Sequence, residues 1–143
     1  MQVDFYQLTR DPAEKVIPFI AQRVLDDKGR LLIVSEVLAQ RDLISASLWT
    51  ARPDSFLAHG MSGTENADFQ PILLSDELQA TNGARMLAIA DGKWRPVESH
   101  FDRIFYLFPP DKTDDARAAW RGLGEGVEKR YWKQDGGKWK QGP

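Results

Sequence analysis

Arg30-Leu31-Leu32-Ile33-Val34-Ser35 is the stretch that decides the fold of this 143-residue chain. Its four central residues are all large and apolar, with no polar residue at alternate positions. A strand with one face in water alternates apolar and polar side chains. A strand apolar at every position is covered on both faces, as in the middle of a parallel sheet flanked by helices. Residues 71–75 (Pro-Ile-Leu-Leu-Ser) and 85–90 (Arg-Met-Leu-Ala-Ile-Ala) repeat the pattern, and residues 101–108 supply a longer run that Pro109-Pro110 stops.

The segments between these runs read as helices. Asp11-Pro12-Ala13-Glu14 offers an N-cap, a proline at the first helical position and an acid three residues after the cap. Val16, Ile17, Ile20, Val24 and Leu25 then keep helical spacing on one face. Pro18 should bend this helix and Gly29 should end it. A second helix is expected over residues 37–49, with Leu38, Leu43, Ile44 and Leu48 inward. A third begins at Thr113-Asp114-Asp115, whose acids suit its dipole. Residues 3–8 form a first strand, and residues 128–140 a hairpin turning at Asp135-Gly136-Gly137. The expected architecture is α/β: a three-layer α/β/α arrangement around a single, mainly parallel, Rossmann-like sheet. Its strands start at Val3, Arg30, Pro71, Arg85 and Arg103. No linker divides the chain, so residues 1–143 should form one domain that includes the basic, aromatic segment 112–143.

Composition excludes several classes. At 42% hydrophobic and 28% charged residues the chain is ordinary globular material. No apolar run approaches a membrane span, and the amino terminus lacks the basic and apolar regions of a signal peptide. The absence of cysteine removes disulfides, thiolate nucleophiles and sulfur ligands. A cytoplasmic protein with no membrane association is the simplest reading. The net charge of −2 is unevenly spread: residues 116–143 carry seven basic residues against three acids, leaving −6 on the rest. Trp120, Trp132 and Trp139, three of the five tryptophans, lie in that basic end.

The signatures of catalysis fail. The chain lacks a G-x-S-x-G elbow and a Walker lysine motif, and two histidines, His59 and His100, are too few for a histidine-rich metal site. Gly122-Leu123-Gly124-Glu125-Gly126 has glycine spacing but follows a helix instead of a strand, the wrong context for a phosphate loop. Asp26-Asp27 and Asp114-Asp115 sit at helix ends, where solvation or dipole pairing accounts for them. Ser55 and His59 lack a third group. The chain reads as non-catalytic, with no cofactor and no metal.

Two binding candidates remain. Trp49, Arg52, Phe56 and Leu57 concentrate around Pro53, in a segment that cannot be regular throughout because Arg52 precedes a proline. Each has a plain alternative: Trp49 as core, Phe56 and Leu57 as the in-and-out residues of a short strand, Arg52 as a helix cap. Trp and Arg are nonetheless the types that most often dominate interfaces. On the last helix, Arg117, Trp120 and Arg121 share one face. An indole between two guanidinium groups suits an acidic peptide with an apolar anchor; equally, Trp120 could face the core with both arginines in solvent. Phe108 leads into this helix.

The chain resembles the chi subunit of bacterial DNA polymerase III. The resemblance rests on Phe5-Tyr6 with Leu8, on Gly29 to Ile33, on Leu48-Trp49 with Pro53, Ser55-Phe56 and His59-Gly60, and on Ala116-Arg117 with Trp120-Arg121. A late tryptophan, Trp139, matches as well. The chain departs from the pattern at Ala58, where proline is common, and at Trp120, where tyrosine is usual. The resemblance implies a non-catalytic clamp-loader subunit with two protein partners. One is the small subunit psi, which would meet Trp49 and Phe56 with their neighbours Arg52 and Leu57. The other is the acidic, phenylalanine-ended tail of single-stranded DNA-binding protein, which would meet Arg117, Trp120, Arg121 and Phe108. Contact with DNA would be indirect. The competing reading is a small nucleic-acid-binding module using Arg117, Arg130, Lys133, Trp132 and Trp139 directly; a nucleotide-binding enzyme is a third.

Overall fold

The computed structural model describes residues 1–50, 57–97, 100–135 and 138–142. Among them run eight strands: β1 (Gln2–Gln7), β2 (Leu31–Val34), β3 (His59–Met61), β4 (Ile72–Ser75), β5 (Met86–Ile89), β6 (Arg103–Phe108), β7 (Glu128–Asp135) and β8 (Lys138–Gln141). They form one sheet in the order β3-β4-β2-β5-β6-β1-β7-β8. Every neighbouring pair is parallel except β7 with β8. Three helices, α1 (Ala13–Asp26), α2 (Leu38–Thr50) and α3 (Thr113–Gly122), cover the two faces.

The deciding run behaves as its composition requires. Leu31, Leu32, Ile33 and Val34 are all fully buried, between β4 and β5. Leu31 and Ile33 face α1 and α2; Leu32 and Val34 face the opposite layer. Burying each such side chain contributes about 1.5–3 kcal/mol. On the first face, Val16, Ile17, Ile20, Ala21 and Val24 of α1 pack with Ile44 and Leu48 of α2. On the second, Ala116 and Ala119 of α3 meet Phe5, Tyr106 and Phe108.

Several local expectations give way to packing. Asp11 does not cap α1: Pro12 holds that position, and no side chain caps the helix. The Asp11 carboxylate instead accepts from Gln134 Nε2 at 2.8 Å. Gln134 is buried, and its Oε1 accepts from the backbone N–H groups of Thr9, Arg10 and Asp11 at 3.0–3.3 Å. One amide therefore fastens β7 to the turn after β1. The helix continues through Pro18, which is buried; the proline ring lacks only the bond to Glu14, in the first turn. At the other end Lys28, not Gly29, takes the left-handed conformation (φ 61°). Gly29 is required for space: a Cβ there would meet Val24 Cγ1 at 3.1 Å, while its N–H donates to Val24 O at 2.8 Å.

Leu38 and Leu43 are exposed, contrary to the inward face expected of α2. Only Ile44 and Leu48, one turn apart, reach the core. Leu38 is the first residue of the helix, and Leu43 is rotated about 100° from Ile44. The hairpin forms as expected, yet its first strand joins the sheet beside β1, with Phe5 opposite Tyr131.

The loop after β5 is held by a compact polar network. Asp91 accepts from Arg95 at 2.6 and 3.0 Å and from the N–H groups of Glu36 and Lys93 at 2.9 and 3.1 Å. Tyr106 Oη donates to Gly92 O at 2.7 Å. Burial pushes the Asp91 carboxyl up, but the Arg95 bonds and the two backbone donors outweigh it, so the group sits below the usual carboxylate range. Burial raises the Tyr106 hydroxyl to about 12.

Candidate partner-binding sites

The parallel pairing of β7 with β1 puts β7 beside α3, and between them opens a cleft of about 360 Å³. The helix contributes Ala116, Arg117, Trp120 and Arg121, and the strand Tyr131 and Lys133. Helical spacing brings the first group onto one side. Strand alternation turns Lys129, Tyr131 and Lys133 towards it. Trp120 meets both readings left open by its spacing: its ring packs on Phe5 at 5.0 Å and edge-on to Tyr131 at 6.2 Å, while its outer part forms the cleft wall. Lys129 Nζ donates to Trp120 O at 3.3 Å and lies 5.1 Å from the indole centroid. Tyr131 Oη donates to Gln7 Oε1 at 2.5 Å, which fixes the floor.

The charges at the rim are weakly compensated. Arg117 is 3.9 Å from Asp114, both well exposed. Within the described residues Arg121 and Lys133 form no ion pair. An anion entering this cleft would find three cations around two aromatic plates. Phe108 does not line it. The side chain is fully buried, 6.0 Å from the Tyr131 ring and 5.3 Å from Tyr106, so it supports the floor from below. Sequence spacing on one helix found Arg117, Trp120 and Arg121. Missing from that group were Tyr131 and Lys133, whose only sequence signal is the period-two pattern of residues 129–133, and Gln7, which arrives from the end of β1.

The second candidate lies across the sheet. Trp49 is 47% exposed at the end of α2, with its ring 4.8 Å from that of His59. His59 Nδ1 contacts the Leu57 carbonyl at 2.8 Å; a carbonyl only accepts, so the proton is on Nδ1. Nε2 lies 2.7 Å from the Ser45 hydroxyl. This histidine is paired with Ser45, whereas Ser55 lies outside the described residues. Leu57 is 4% exposed and packs in the α1–α2 core, so it cannot itself meet a partner. Arg52 and Phe56 lie outside the described residues.

Among the described residues no group of three His, Asp or Glu side chains could hold a metal, and no helix is long and apolar enough to cross a membrane. The crevice at the carboxyl ends of β1, β2 and β5, where Rossmann-type sheets bind nucleotides, is lined by Asp11, Glu14 and Asp91 against Arg10. Those acids repel phosphate. The glycines at 122–126 lead into β7 at Glu128, opposite Gln2, and so lie at the far end of the sheet. The residues grouped for direct nucleic-acid binding are divided by the sheet: Lys133 and Arg117 are on the α3 side, whereas Trp132 and Trp139 pack on the α1 side.

The architecture is that of an α/β protein with a single, mainly parallel sheet, carrying the cationic cleft on one side and the exposed Trp49 on the other. Residues 1–127 match the family model described as DNA polymerase III chi subunit, HolC, and the chain belongs to that family. It is also 26% identical over 88 residues to a "Probable DNA polymerase III subunit chi" of Rickettsia prowazekii (strain Madrid E), a match covering 62% of this chain and 53% of that relative. Membership of this family supports an accessory role in DNA replication. The matched residues stop one position before β7.

Proposed function

We propose that this protein is a non-catalytic replisome adaptor. Its cleft between α3 and β7 takes the acidic, phenylalanine-ended tail of single-stranded DNA-binding protein, and its Trp49 surface meets psi, which attaches it to the clamp loader. Residues 1–143 act as one domain in the cytoplasm, without a cofactor. The observation that carries the reading is the trio Arg117, Arg121 and Lys133 around Trp120 and Tyr131. Carboxylates of the tail meet the cations, and the terminal ring is buried against the indole and phenol. Charge attraction is screened by salt; ring burial is not.

Titration of a tail peptide at two salt concentrations, against wild type and Arg117→Ala, tests this. Wild-type affinity should fall with salt, and the variant should bind more weakly with a shallower dependence. Equal binding by a peptide lacking its terminal phenylalanine would sink the tail assignment. The psi assignment is tested separately, with Trp49 as the probe.

A further inference from the structure

The β7–β8 hairpin extends the cationic rim beyond the tail cleft: it shares Lys133 with the cleft and adds Lys138 and Lys140, which do not line it. In its antiparallel register Lys133 stands opposite Lys140, and Asp135 opposite Lys138. Alternation sends all four side chains to the α3 side, as a continuation of the row begun by Lys129 and Tyr131. Like charges directly opposite each other destabilise a strand pair. One carboxylate answers them: Asp135 lies 2.8 Å from Lys140, with both groups more than half exposed. Lys133 and Lys138 form no ion pair or hydrogen bond within the described residues. Three lysines against one carboxylate leave a net positive row on a chain whose net charge is −2.

We propose that this row, Lys133, Lys138 and Lys140, binds the phosphate backbone of single-stranded nucleic acid. A phosphate backbone carries charge at every unit and needs no anchor. Lys138 and Lys140 are two residues apart on one strand, a spacing of about 6.7 Å that an extended backbone can follow. At the inner end of the row, Tyr131 and Trp120 offer aromatic edges on which a base can stack. The hairpin also lies beyond residues 1–127, which match the family model. Contact with nucleic acid is then direct, in contrast to the indirect contact that the family resemblance implies.

The test is fluorescence anisotropy of a labelled 15-nucleotide oligothymidylate with the full chain, in a salt series beginning at low ionic strength. Wild type should bind, with affinity falling steeply as salt rises. Lys138→Gln/Lys140→Gln should bind about tenfold more weakly, with the log–log salt slope shallower by about 1.4, or about 0.7 per lost phosphate contact. Both side chains are exposed, so the melting temperature should hold, and tail-peptide affinity should change less than twofold because neither lines the cleft. Arg117→Ala should do the reverse, which separates failure of this site from failure of the tail site. Absence of oligonucleotide binding at low salt, or unchanged binding by the double variant, would overturn the proposal. So would equal displacement by polyglutamate of the same charge, which would mark the row as a site for acidic peptide.

Discussion

Trp120 and Tyr131 meet edge to face, 6.2 Å between centroids, with the ring of Phe5 5.0 Å from the one and 6.4 Å from the other. The wall of the cleft between α3 and β7 is therefore also the outer layer of the core. Trp120→Ala should abolish tail-peptide binding and cost about 2 kcal/mol of stability. Trp120→Tyr should keep much of both. Denaturant unfolding beside peptide titration reads the two effects. Loss of binding with unchanged stability would show that the indole is not packed as described.

Trp49 makes the opposite case, because its ring is nearly half exposed and rests on His59. Trp49→Ala should weaken binding of psi by about 2 kcal/mol while shifting the melting temperature little. A sharp fall in melting temperature would return Trp49 to a structural role.

Gln134 answers three backbone N–H groups and one carboxylate at a single buried point. Gln134→Ala leaves those donors without a partner and should cost about 2–3 kcal/mol. Hydrogen exchange should then rise first in residues 9–11 and along β7. Exchange unchanged there would mean that the hairpin is held by its ladder alone.

The Asp91–Arg95 pair sets a pH dependence. The Asp91 carboxyl sits below its unfolded value of about 3.9, so its stabilisation is fully present above that pH and is lost as pH falls through the folded value. Asp91→Asn should lower stability at pH 7 by about 3 kcal/mol, since the buried Arg95 loses its close carboxylate and keeps only Glu36 at 3.9 Å and the Lys93 carbonyl. The gap between wild type and variant should narrow below pH ~4. A gap constant with pH would assign the loss to packing.

Lys28 pays a backbone cost at the end of α1, with φ 61° and a Cβ. Lys28→Gly removes that strain and should raise stability by about 1 kcal/mol in chemical denaturation. A destabilising outcome would mean that the lysine side chain offsets the strain.

The layers and the inner strands were legible because a four-residue run apolar at every position has few other uses. Strand starts agree within one residue: Leu31, Ile72 and Met86 against Arg30, Pro71 and Arg85. What escaped was decided between distant segments. Asp11 had the chemistry of a cap, but Gln134, more than 120 residues away, claims its carboxylate. Leu43 looked inward because α2 is apolar on several sides, and only neighbouring elements select which side is covered. The cleft between α3 and β7 was half visible: one helix displayed Arg117, Trp120 and Arg121 by spacing, while Tyr131 and Lys133 arrive from a strand whose place beside β1 no local pattern announces.

That place has a consequence for how the chain is made. β1 is sandwiched between β6 and β7, with Gln2 opposite both Arg103 and Glu128. At 5–20 residues per second, roughly 5–20 s of synthesis separate the emergence of β1 from that of its first sheet neighbour. Throughout that interval Val3, Phe5 and Tyr6 have no strand to join, and the half of the sheet built from β2, β4 and β5 can assemble without them. Strand β1 is thus made well before its neighbours and is among the last to be enclosed, which makes it the segment most in need of protection from aggregation and the β7–β8 hairpin the piece that completes its shelter.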